Sequence, residues 1–593
     1  MAYRIEEKTI IIDGWEKGIG DSPHTGIANM KNVDISVPGE VSVMRKTTAL
    51  TKPPTVTALA YTAEMDDDKI TVASTNGWFN GMAISFDSVS GSPGFSTGRV
   101  YWVGSLTGTT FKIYKSPKRN NAEEINITAD SNGNLSSYTL GKPIEQVWGN
   151  YPTGSYNYHF ILDANGRAWM IDNYGSSITN NLIYLGNDTL TGAQGRGIAV
   201  FKQHLIVFRG AAMDGLLLNA IEAALSDLDS AYDGSATGGW SYGWDTVSTL
   251  DGTLRDVSVG DDDILYFDNN GTRIGSVSEN TGTTFVLNNS ATWTKDSAAL
   301  DIPELNDGSA IQISELGSSL ILGSNANKLY PWDRISSSFN IPILMPEHKT
   351  QKMVSSNNLL YIFAGFRGNI YLTNGSSIEL FKKIPDYITG ELMTYFTIKD
   401  VIFHRNQLLF SFTAFGNGGS TITGIDGVWA IDLLTGSLRL LNTLSHGTAG
   451  TVHTISFYSL TDTPNGFGFI AGWEDASGNY GVDIGSSNPY SAGETIIDSD
   501  IIPIGTYVLK RTPTSIEFKL SKPLVSGESV ELQYRSNLNE SFTSISSTNT
   551  VGAISDMYNI NFENVQWIQI RSILTSTDTT PSFVPLKEVR INL

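Results

Sequence analysis

The chain has no cysteine and few charged residues. In 593 residues there is no Cys, and Asp, Glu, Lys and Arg together make up 17%. Without a thiol there is no disulfide, no thiolate metal ligand and no cysteine nucleophile. Residues 1–15 lack the basic and apolar segments of a secretory signal, and no apolar run reaches the ~20 residues that span a bilayer. We expect a protein made in a cytoplasm, used there or in a particle assembled there.

Positive charge is also scarce. The formal net charge is −21, which argues against a nucleic-acid-binding surface, because such surfaces concentrate Lys and Arg. The 58 glycines indicate many short elements joined by tight turns. Hydrophobic residues make up 40%, enough for a large core, and the length predicts two to four domains unless a repeat accounts for much of it.

A strand-turn-strand pattern recurs along the middle of the chain. Short β-branched and aromatic runs bounded by Gly, Asn and Asp predict strands, and clear hairpins include 158–172, 355–372 and 403–432. One mid-strand residue per hairpin falls at positions 159, 205, 264, 319, 360, 408 and 467. This spacing of about 51 residues is close to the four-strand period of a β-propeller blade. The sequence therefore predicts an all-β fold with a propeller of about seven blades over residues 144–495; a pair of β-sandwiches would give similar spacing.

Three segments lie outside this repeat. Residues 1–62 are interpreted as an N-terminal arm with the first propeller strands, and residues 63–143 as an inserted small β-module. Residues 500–593 show period-two alternation of apolar and polar residues, which predicts a separately folding C-terminal β-sandwich. A polar linker is expected at residues 486–500. The strands predicted in the last two domains are Met82–Phe86, Arg99–Val103, Thr110–Tyr114, Ser515–Leu520, Ser529–Tyr534, Trp567–Leu574 and Leu586–Ile591.

One segment predicts a helix. In Met213–Leu228, the residues Leu217, Ile221 and Leu225 are four apart, which places them on one helical face. No other segment has this period.

Histidine and aspartate patterns reveal no metal site. The histidines are at positions 24, 159, 204, 348, 404, 446 and 453, and no pair has metal-ligand spacing. His159, His204 and His404 lie at predicted strand edges, where a structural role is favoured. The acidic clusters are Asp66–Asp68, Asp261–Asp263, and Asp227, Asp229 and Asp233. The last resembles part of a calcium loop, but position 238 is Gly where the closing Glu is required, so a solvated turn is favoured.

Catalytic motifs are equally weak. Residues 94–98 (GFSTG) match the nucleophile elbow around Ser96, but a predicted strand follows where the elbow needs a helix. Residues 290–296 (SATWTKD) contain the Thr-Trp of a sialidase turn without its preceding Asp and Gly. Glycoside hydrolysis requires only two facing carboxylates, and no such pair is indicated. The sequence therefore predicts no catalytic, cofactor-binding or metal residue, no cofactor and no enzyme activity.

Three segments resemble structural proteins of tailed phages. They are residues 18–45, with MKNVDI before a Pro-Gly turn; residues 69–117, similar to a small β-insert of virion proteins; and residues 516–542 with WIQIR at 567–571, similar to a terminal β-sandwich. Their order around a propeller resembles the tail nozzle (tail tubular protein B-like) family of short-tailed phages. That resemblance implies a non-enzymatic hexameric ring in the virion tail. It would contact the portal adaptor and the fibres or spikes, and pass DNA without sequence-specific binding. The chain is shorter than the best-known members, which leaves its position in the tail open.

Two alternatives remain from the sequence. A receptor-binding or glycan-binding tail protein would expose clustered aromatics, for which Trp240, Tyr242 and Trp244 are candidates. A propeller glycosidase would release reducing ends from host polysaccharide. The acidic balance is consistent with a DNA conduit, because an acidic wall repels phosphate.

Overall fold

A computed structural model describes the chain over defined ranges. They are residues 3–6, 9–12, 27–35, 40–117, 119, 124–150, 157–171, 181–186, 194–209, 212–218, 240–245, 257–259, 262–269, 273–279, 293–301, 311–388, 391–404, 406–447, 450–457, 469–489, 495–499, 501–504, 512–538, 540–560, 565–577 and 584–593. Within them the chain forms 48 β-strands, numbered in chain order. It divides into two compact units, one of residues 1–48, 350–478 and 483–593, the other of residues 49–349 and 479–482.

The first 49 residues supply strands to several sheets. The strands are β1 (Tyr3–Glu6), β2 (Thr9–Ile12), β3 (Ile27–Lys31), β4 (Val33–Asp34), β5 (Ser42–Val43) and β6 (Arg45–Ala49). β1 pairs with β2 and β4 with β5, whereas β3 and β6 pair with strands from the second half of the sequence.

Residues 59–137 form a closed barrel of six strands. These are β7 (Leu59–Glu64), β8 (Lys69–Val72), β9 (Ala83–Val89), β10 (Val100–Thr107), β11 (Thr110–Tyr114) and β12 (Ser131–Ser137), in the order β10-β11-β8-β7-β12-β9. Its interior is aromatic: Phe86 lies 4.3 Å from Phe95 and 4.9 Å from Tyr61, measured between ring centroids. The barrel therefore has its own hydrophobic core.

Four antiparallel sheets of four strands follow, each in simple up-and-down order. Sheet 1 contains β13 (Pro143–Asn150), β14 (Asn157–Asp163), β15 (Ala168–Ile171) and β16 (Leu182–Tyr184). Sheet 2 contains β17 (Gly195–Phe201), β18 (His204–Arg209), β19 (Ala212–Leu217) and β20 (Trp240–Asp245). Sheet 3 contains β21 (Val257–Val259), β22 (Leu265–Asn269), β23 (Arg273–Glu279) and β24 (Trp293–Asp301). Sheet 4 contains β25 (Gln312–Leu316), β26 (Ser319–Gly323), β27 (Lys328–Trp332) and β28 (Ile343–Leu344).

Three further sheets continue the series. Sheet 5 contains β29 (Thr350–Ser356), β30 (Leu359–Ala364), β31 (Asn369–Thr373) and β32 (Ile378–Lys383). Sheet 6 contains β34 (Glu391–His404), β35 (Gln407–Gly416), β36 (Val428–Asp432) and β37 (Leu438–Asn442), with β33 (Tyr387–Ile388) at the edge. Sheet 7 contains β38 (Gly450–Phe457), β39 (Phe469–Asp475) and β40 (Tyr480–Pro489), and its fourth strand is β6.

The C-terminal strands share sheets with the N-terminal ones. They are β41 (Thr495–Ser499), β42 (Ile502–Pro503), β43 (Ser515–Leu520), β44 (Ser529–Arg535), β45 (Thr543–Thr548), β46 (Ser555–Asn559), β47 (Trp567–Thr575) and β48 (Leu586–Asn592). One sheet has the order β1-β2-β48-β43-β46. The other extends sheet 6 through β3, β41, β47, β44 and β45, with β42 beside β47.

Asparagine and aspartate explain several of the hairpin turns. Asn357 and Asn358, between β29 and β30, have φ of 52° and 61°, a left-handed conformation that Asn tolerates better than most side chains. After β14, the carboxylate of Asp163 accepts hydrogen bonds from the backbone N–H of Asn165 and Arg167. Such local bonds fix the turn and hence the register of the hairpin.

Consecutive sheets pack through apolar faces within each unit. Phe208 of sheet 2 lies 5.1 Å from Phe267 of sheet 3, and Tyr266 lies 5.9 Å from Trp332 of sheet 4. In the other unit Phe363 of sheet 5 lies 5.3 Å from Phe410 of sheet 6. The hydrophobic cores therefore lie between neighbouring sheets. This position explains why the second strand of most sheets is buried along nearly its whole length.

The structure confirms the all-β prediction and each strand predicted above for the module and the C-terminal region. The helix prediction is wrong for Met213–Leu217, which lie in β19; residues 219–228 of that helix are outside the described ranges. Pairing of β19 with the buried strand β18 overrides the local period. The linker prediction is also wrong, because β40 and β41 extend into residues 486–500 and cover 486–489 and 495–499.

Candidate functional site: an aspartate cluster at the seventh sheet

A fully buried carboxylate in β40 is surrounded by hydrogen-bond donors. Asp483 is 0% exposed. It accepts bonds from Thr47 Oγ1 at 2.6 Å, from Ser445 N at 2.7 Å and Oγ at 2.6 Å, and from Trp473 Nε1 at 2.7 Å. Four donors match the four lone-pair sites of a carboxylate, so the charge is compensated without a cation.

The donors come from distant parts of the sequence. Thr47 lies in β6, Trp473 in β39, and Ser445 in the segment after β37. Thr47 and Asp483 are 436 positions apart. One carboxylate therefore ties the strand from the start of the chain to the seventh sheet.

His446 lies beside this cluster. Its ring is half-buried and 5.1 Å from the ring of Trp473. Burial lowers the pKa of His446, and the charge of Asp483 opposes that shift. A Ser-His-Asp triad needs the imidazole between the hydroxyl and the carboxylate. Here the Ser445 hydroxyl bonds directly to Asp483, so this arrangement holds strands together and does not activate a nucleophile.

A second buried carboxyl accepts a hydrogen bond from Gly450, a residue that lies against the same histidine. Asp426 is 3% exposed, and burial raises its pKa to about 7 although the N–H of Gly450 donates to it. A Cβ on Gly450 would lie 2.9 Å from His446 Nδ1, so glycine is required for this close approach. Asp426 is therefore a group that changes charge near neutral pH inside the fold.

Hydrogen bonds of one kind connect consecutive sheets. A side-chain oxygen from one sheet accepts the backbone N–H at the first strand of the next. The pairs are Glu145 with Ile198 at 3.0 Å, Asp268 with Ile311 at 3.0 Å, Gln351 with Ile398 at 2.8 Å, and Asp400 with Ile455 at 2.6 Å. Each pair lies within one unit.

A β-bulge accompanies this repeat. The pairing of the first and second strands shifts register in sheets 1, 2, 5, 6 and 7. The shifts fall between Pro143 and Glu145, Gly195 and Gly197, Thr350 and Lys352, Ile398 and Asp400, and Val452 and Thr454. A bulge re-aims neighbouring side chains, and Glu145, Gln351 and Asp400 are at or next to it.

Ion pairs add to the links in the unit of sheets 1–4. Lys202 of sheet 2 pairs with Asp263 and lies 3.5 Å from Glu279 of sheet 3. Arg334 of sheet 4 lies 2.5 Å from Glu315 and 3.4 Å from Asp262. These ion pairs link sheet 2 to sheet 3 and sheet 3 to sheet 4.

The predicted histidine positions are not brought together. His159 is buried, with Nε2 2.7 Å from Gln146 Oε1, and burial lowers its pKa to about 3. His204 Nδ1 lies 2.7 Å from the carbonyl of Lys202, and His453 Nε2 lies 2.9 Å from Glu474. His404 ends β34, and His348 is exposed. His24 lies outside the described ranges.

The other candidate motifs lie in turns. The N–H of Ser96 donates to the Tyr101 hydroxyl at 3.0 Å, between a turn and β10. Asp68 accepts the N–H of Ile127, and Asp262 accepts the Tyr266 hydroxyl at 2.7 Å. Asp227, Asp229, Asp233 and Asp261, and residues 290–292 of the sialidase-like string, lie outside the described ranges. Among the residues that the structure does describe, no three His, Asp or Glu side chains are placed to hold a metal ion.

Of the three aromatic candidates, Trp240 is 4% exposed and its Nε1 donates to the carbonyl of Leu185 at 2.8 Å. The side chains of Tyr242 and Trp244 are outside the described set. Sequence reasoning missed Asp483, Asp426, Thr47 and Ser445. No sequence motif connects these four residues, because their contacts join distant parts of the chain.

A helix with the length and apolarity to cross a bilayer is not found in the described part of the chain.

Comparison with known proteins identifies no family. No protein-family model and no curated protein sequence matches the chain. Two solved structures of computationally designed proteins are similar to it. Ika8 has 11% identity and a TM-score of 0.33, covering 70% of this chain and 98% of its own. Ika4 has 14% identity and a TM-score of 0.22, covering 31% and 95%. TM-scores this low define neither fold nor function.

Proposed function

We propose that sheets 1 to 7 are the blades of a seven-bladed β-propeller, and that the chain is a structural component of a short-tailed phage tail. The main support for the propeller is that the fourth strand of sheet 7 is β6, which comes from the start of the sequence. A ring of blades closes when the last sheet takes a strand from the other end of the repeat.

The repeated geometry supports the propeller. Strands that follow one another in the sequence are neighbours in each sheet, and neighbouring sheets in a unit pack through apolar faces. The side chain-to-backbone bonds from one sheet to the first strand of the next recur in both units, and so does the bulge. These are the contacts that a radial repeat needs between blades.

The tail assignment rests on the phage-like segments 18–45, 69–117 and 516–542 and on the character of the site. The hydrogen bonds to Asp483 compensate its charge and hold β6 against sheet 7. Such an arrangement suits a protein with a structural role. A ring of six copies would carry many negative charges around its channel, and such a wall repels DNA phosphate. The proposed protein is a nozzle-like conduit without enzyme activity. It contacts the portal adaptor and the fibres or spikes.

The receptor-binding alternative gains nothing from Trp240, which is buried. The glycosidase alternative requires hydrolysis of a host surface polymer by the purified protein.

Deletion of the gene from its phage tests the proposal. Particles lacking the protein should package DNA and then lose it, and electron micrographs should show a missing tail tip. Particles that retain their genome and a complete tail, but no longer adsorb to the host, would instead support the receptor-binding alternative.

A further inference from the structure

One end of sheet 5 carries positive charge in an otherwise acidic chain. Residues 350–383 contain four basic residues and one acidic residue, against a net charge of −21 for the whole protein. Arg367 lies in the turn between β30 and β31 and is exposed. Lys383 pairs with Asn369 and Lys382 with Ile370, so both lysines lie beside that turn. We call Phe366, Arg367, Lys382 and Lys383 the basic end.

An aromatic surface accompanies these charges. Phe366 is 38% exposed and stacks on Tyr395, with the ring centroids 4.6 Å apart and the planes 20° apart. Within the basic end, Lys383 lies 2.6 Å from Asp386. A partly exposed aromatic ring at the same end of the sheet as basic residues fits a partner with an apolar tip next to carboxylates.

The barrel presents such a tip. The turn between β7 and β8 follows Glu64 and contains Asp66, Asp67 and Asp68, and Met65 within it is 48% exposed. The Met65 N–H donates to Asp130, so a further carboxylate lies next to this turn. Lys69, paired with Asp67 at 3.0 Å, offsets only one of these charges. We call residues 64–68 the acidic turn.

We propose that the acidic turn of one copy docks on the basic end of sheet 5 in a neighbouring copy. The proposal rests on the proposed ring and names the surfaces that form it. Two different surfaces on each chain give a heterologous contact, which generates a closed ring when it repeats. Copies with a net charge of −21 repel one another, so a contact that places carboxylates against Arg and Lys offsets that repulsion.

Cysteine cross-linking between separate chains tests this contact, because the natural chain has no Cys. Met65→Cys is made in one preparation and Phe366→Cys in another. The two are mixed in low salt and treated with a short bismaleimide. A mixed covalent dimer joins two copies, and its yield above that of a control pair measures the proposed contact. The control pairs Met65→Cys with Ile335→Cys, since Ile335 is 92% exposed on sheet 4.

The proposed contact predicts at least about tenfold more covalent dimer from the test pair than from the control pair. A tenfold difference corresponds to a binding free energy of about 1.4 kcal/mol. Arg367→Glu in the Phe366→Cys chain should reduce the yield to that of the control. Asp66→Lys and Asp67→Lys in the Met65→Cys chain should restore it, because the charges are then exchanged. High salt should weaken the natural pair through screening.

Equal yields from the test and control pairs would overturn the contact. The contact would also be overturned if the dimer yield stayed the same in the charge-reversed variants Arg367→Glu, Asp66→Lys and Asp67→Lys. If those results came with duplex DNA binding that Arg367→Glu abolishes, the basic end would face nucleic acid instead. If phage particles contained a ring of this protein but the test and control pairs gave equal dimer yields, the acidic turn and the basic end would not be the contact surfaces. The proposed function would then be unaffected.

Discussion

The hydroxyl of Thr47 donates a 2.6 Å hydrogen bond to the carboxylate of Asp483, a residue 436 positions further along the chain. Both groups are buried, and the same carboxylate receives the indole N–H of Trp473. Hydrogen bonds to a buried charge are the stronger ones. The bond therefore fixes β6 in place as the fourth strand of sheet 7, which is the position that closes the proposed propeller.

Removal of this carboxylate should destabilise the protein strongly. In Asp483→Ala, the donors of Thr47, Ser445 and Trp473 lose their acceptor, and we expect the free energy of unfolding to fall by at least about 3 kcal/mol. Urea denaturation followed by tryptophan fluorescence measures this. Asp66→Ala, in an exposed turn, is the control and should change stability by less than about 0.5 kcal/mol.

Thr47 offers a matched pair of smaller changes. Thr47→Val removes the hydroxyl at nearly constant volume and should cost about 1.5–3 kcal/mol, whereas Thr47→Ser keeps the donor. Equal stability of the two variants would show that the bond to Asp483 does not hold β6 in place.

Asp426 should make stability fall as pH rises. Burial raises its pKa from 3.8 to about 7 in the folded protein, so between pH 4 and 7 the folded state binds more protons than the unfolded state. Its stabilising contribution is complete below about pH 4 and declines towards pH 7, with a slope of about 1.4 kcal/mol per pH unit. Asp426→Asn, measured by urea denaturation at several pH values, should remove this decline. A wild-type-minus-variant difference that is constant with pH would contradict the assignment.

His159 should act in the opposite direction. Burial lowers its pKa from 6.5 to about 3, so the unfolded state binds the extra proton in this window. Its contribution is complete above about pH 6.5 and is lost as the pH falls towards 3. We expect His159→Gln to expose the fall in stability between about pH 4 and 7 that Asp426 causes, and Asp426→Asn to expose the rise between about pH 3 and 6.5 that His159 causes. The two slopes partly cancel in the natural protein, so each becomes visible only when the other group is replaced. If His159→Gln left the acid limb as steep as before, the histidine would not be the group responsible.

Local patterns predicted the strands but not their distant partners. The alternation in Ser515–Leu520 and Leu586–Ile591 was sufficient to place β43 and β48, because period two is a property of each strand alone. Nothing local indicates that β48 pairs with β2, that β41 pairs with β3, or that β6 joins sheet 7. The hydrogen bonds to Asp483 could not be predicted for the same reason, because their donors are at positions 47, 445 and 473. The Met213–Leu217 error has the same cause, because pairing with β18 decided the conformation.

The copy number and position of the protein in intact phage particles test the central claim most directly. Electron cryo-microscopy of the virion, with the density matched to this chain, measures both at once. The proposed conduit predicts six copies in a closed ring on the tail axis, with sheets 1 to 7 of each copy arranged as one seven-bladed propeller. Three copies, or density projecting sideways from the tail as fibres, would contradict it.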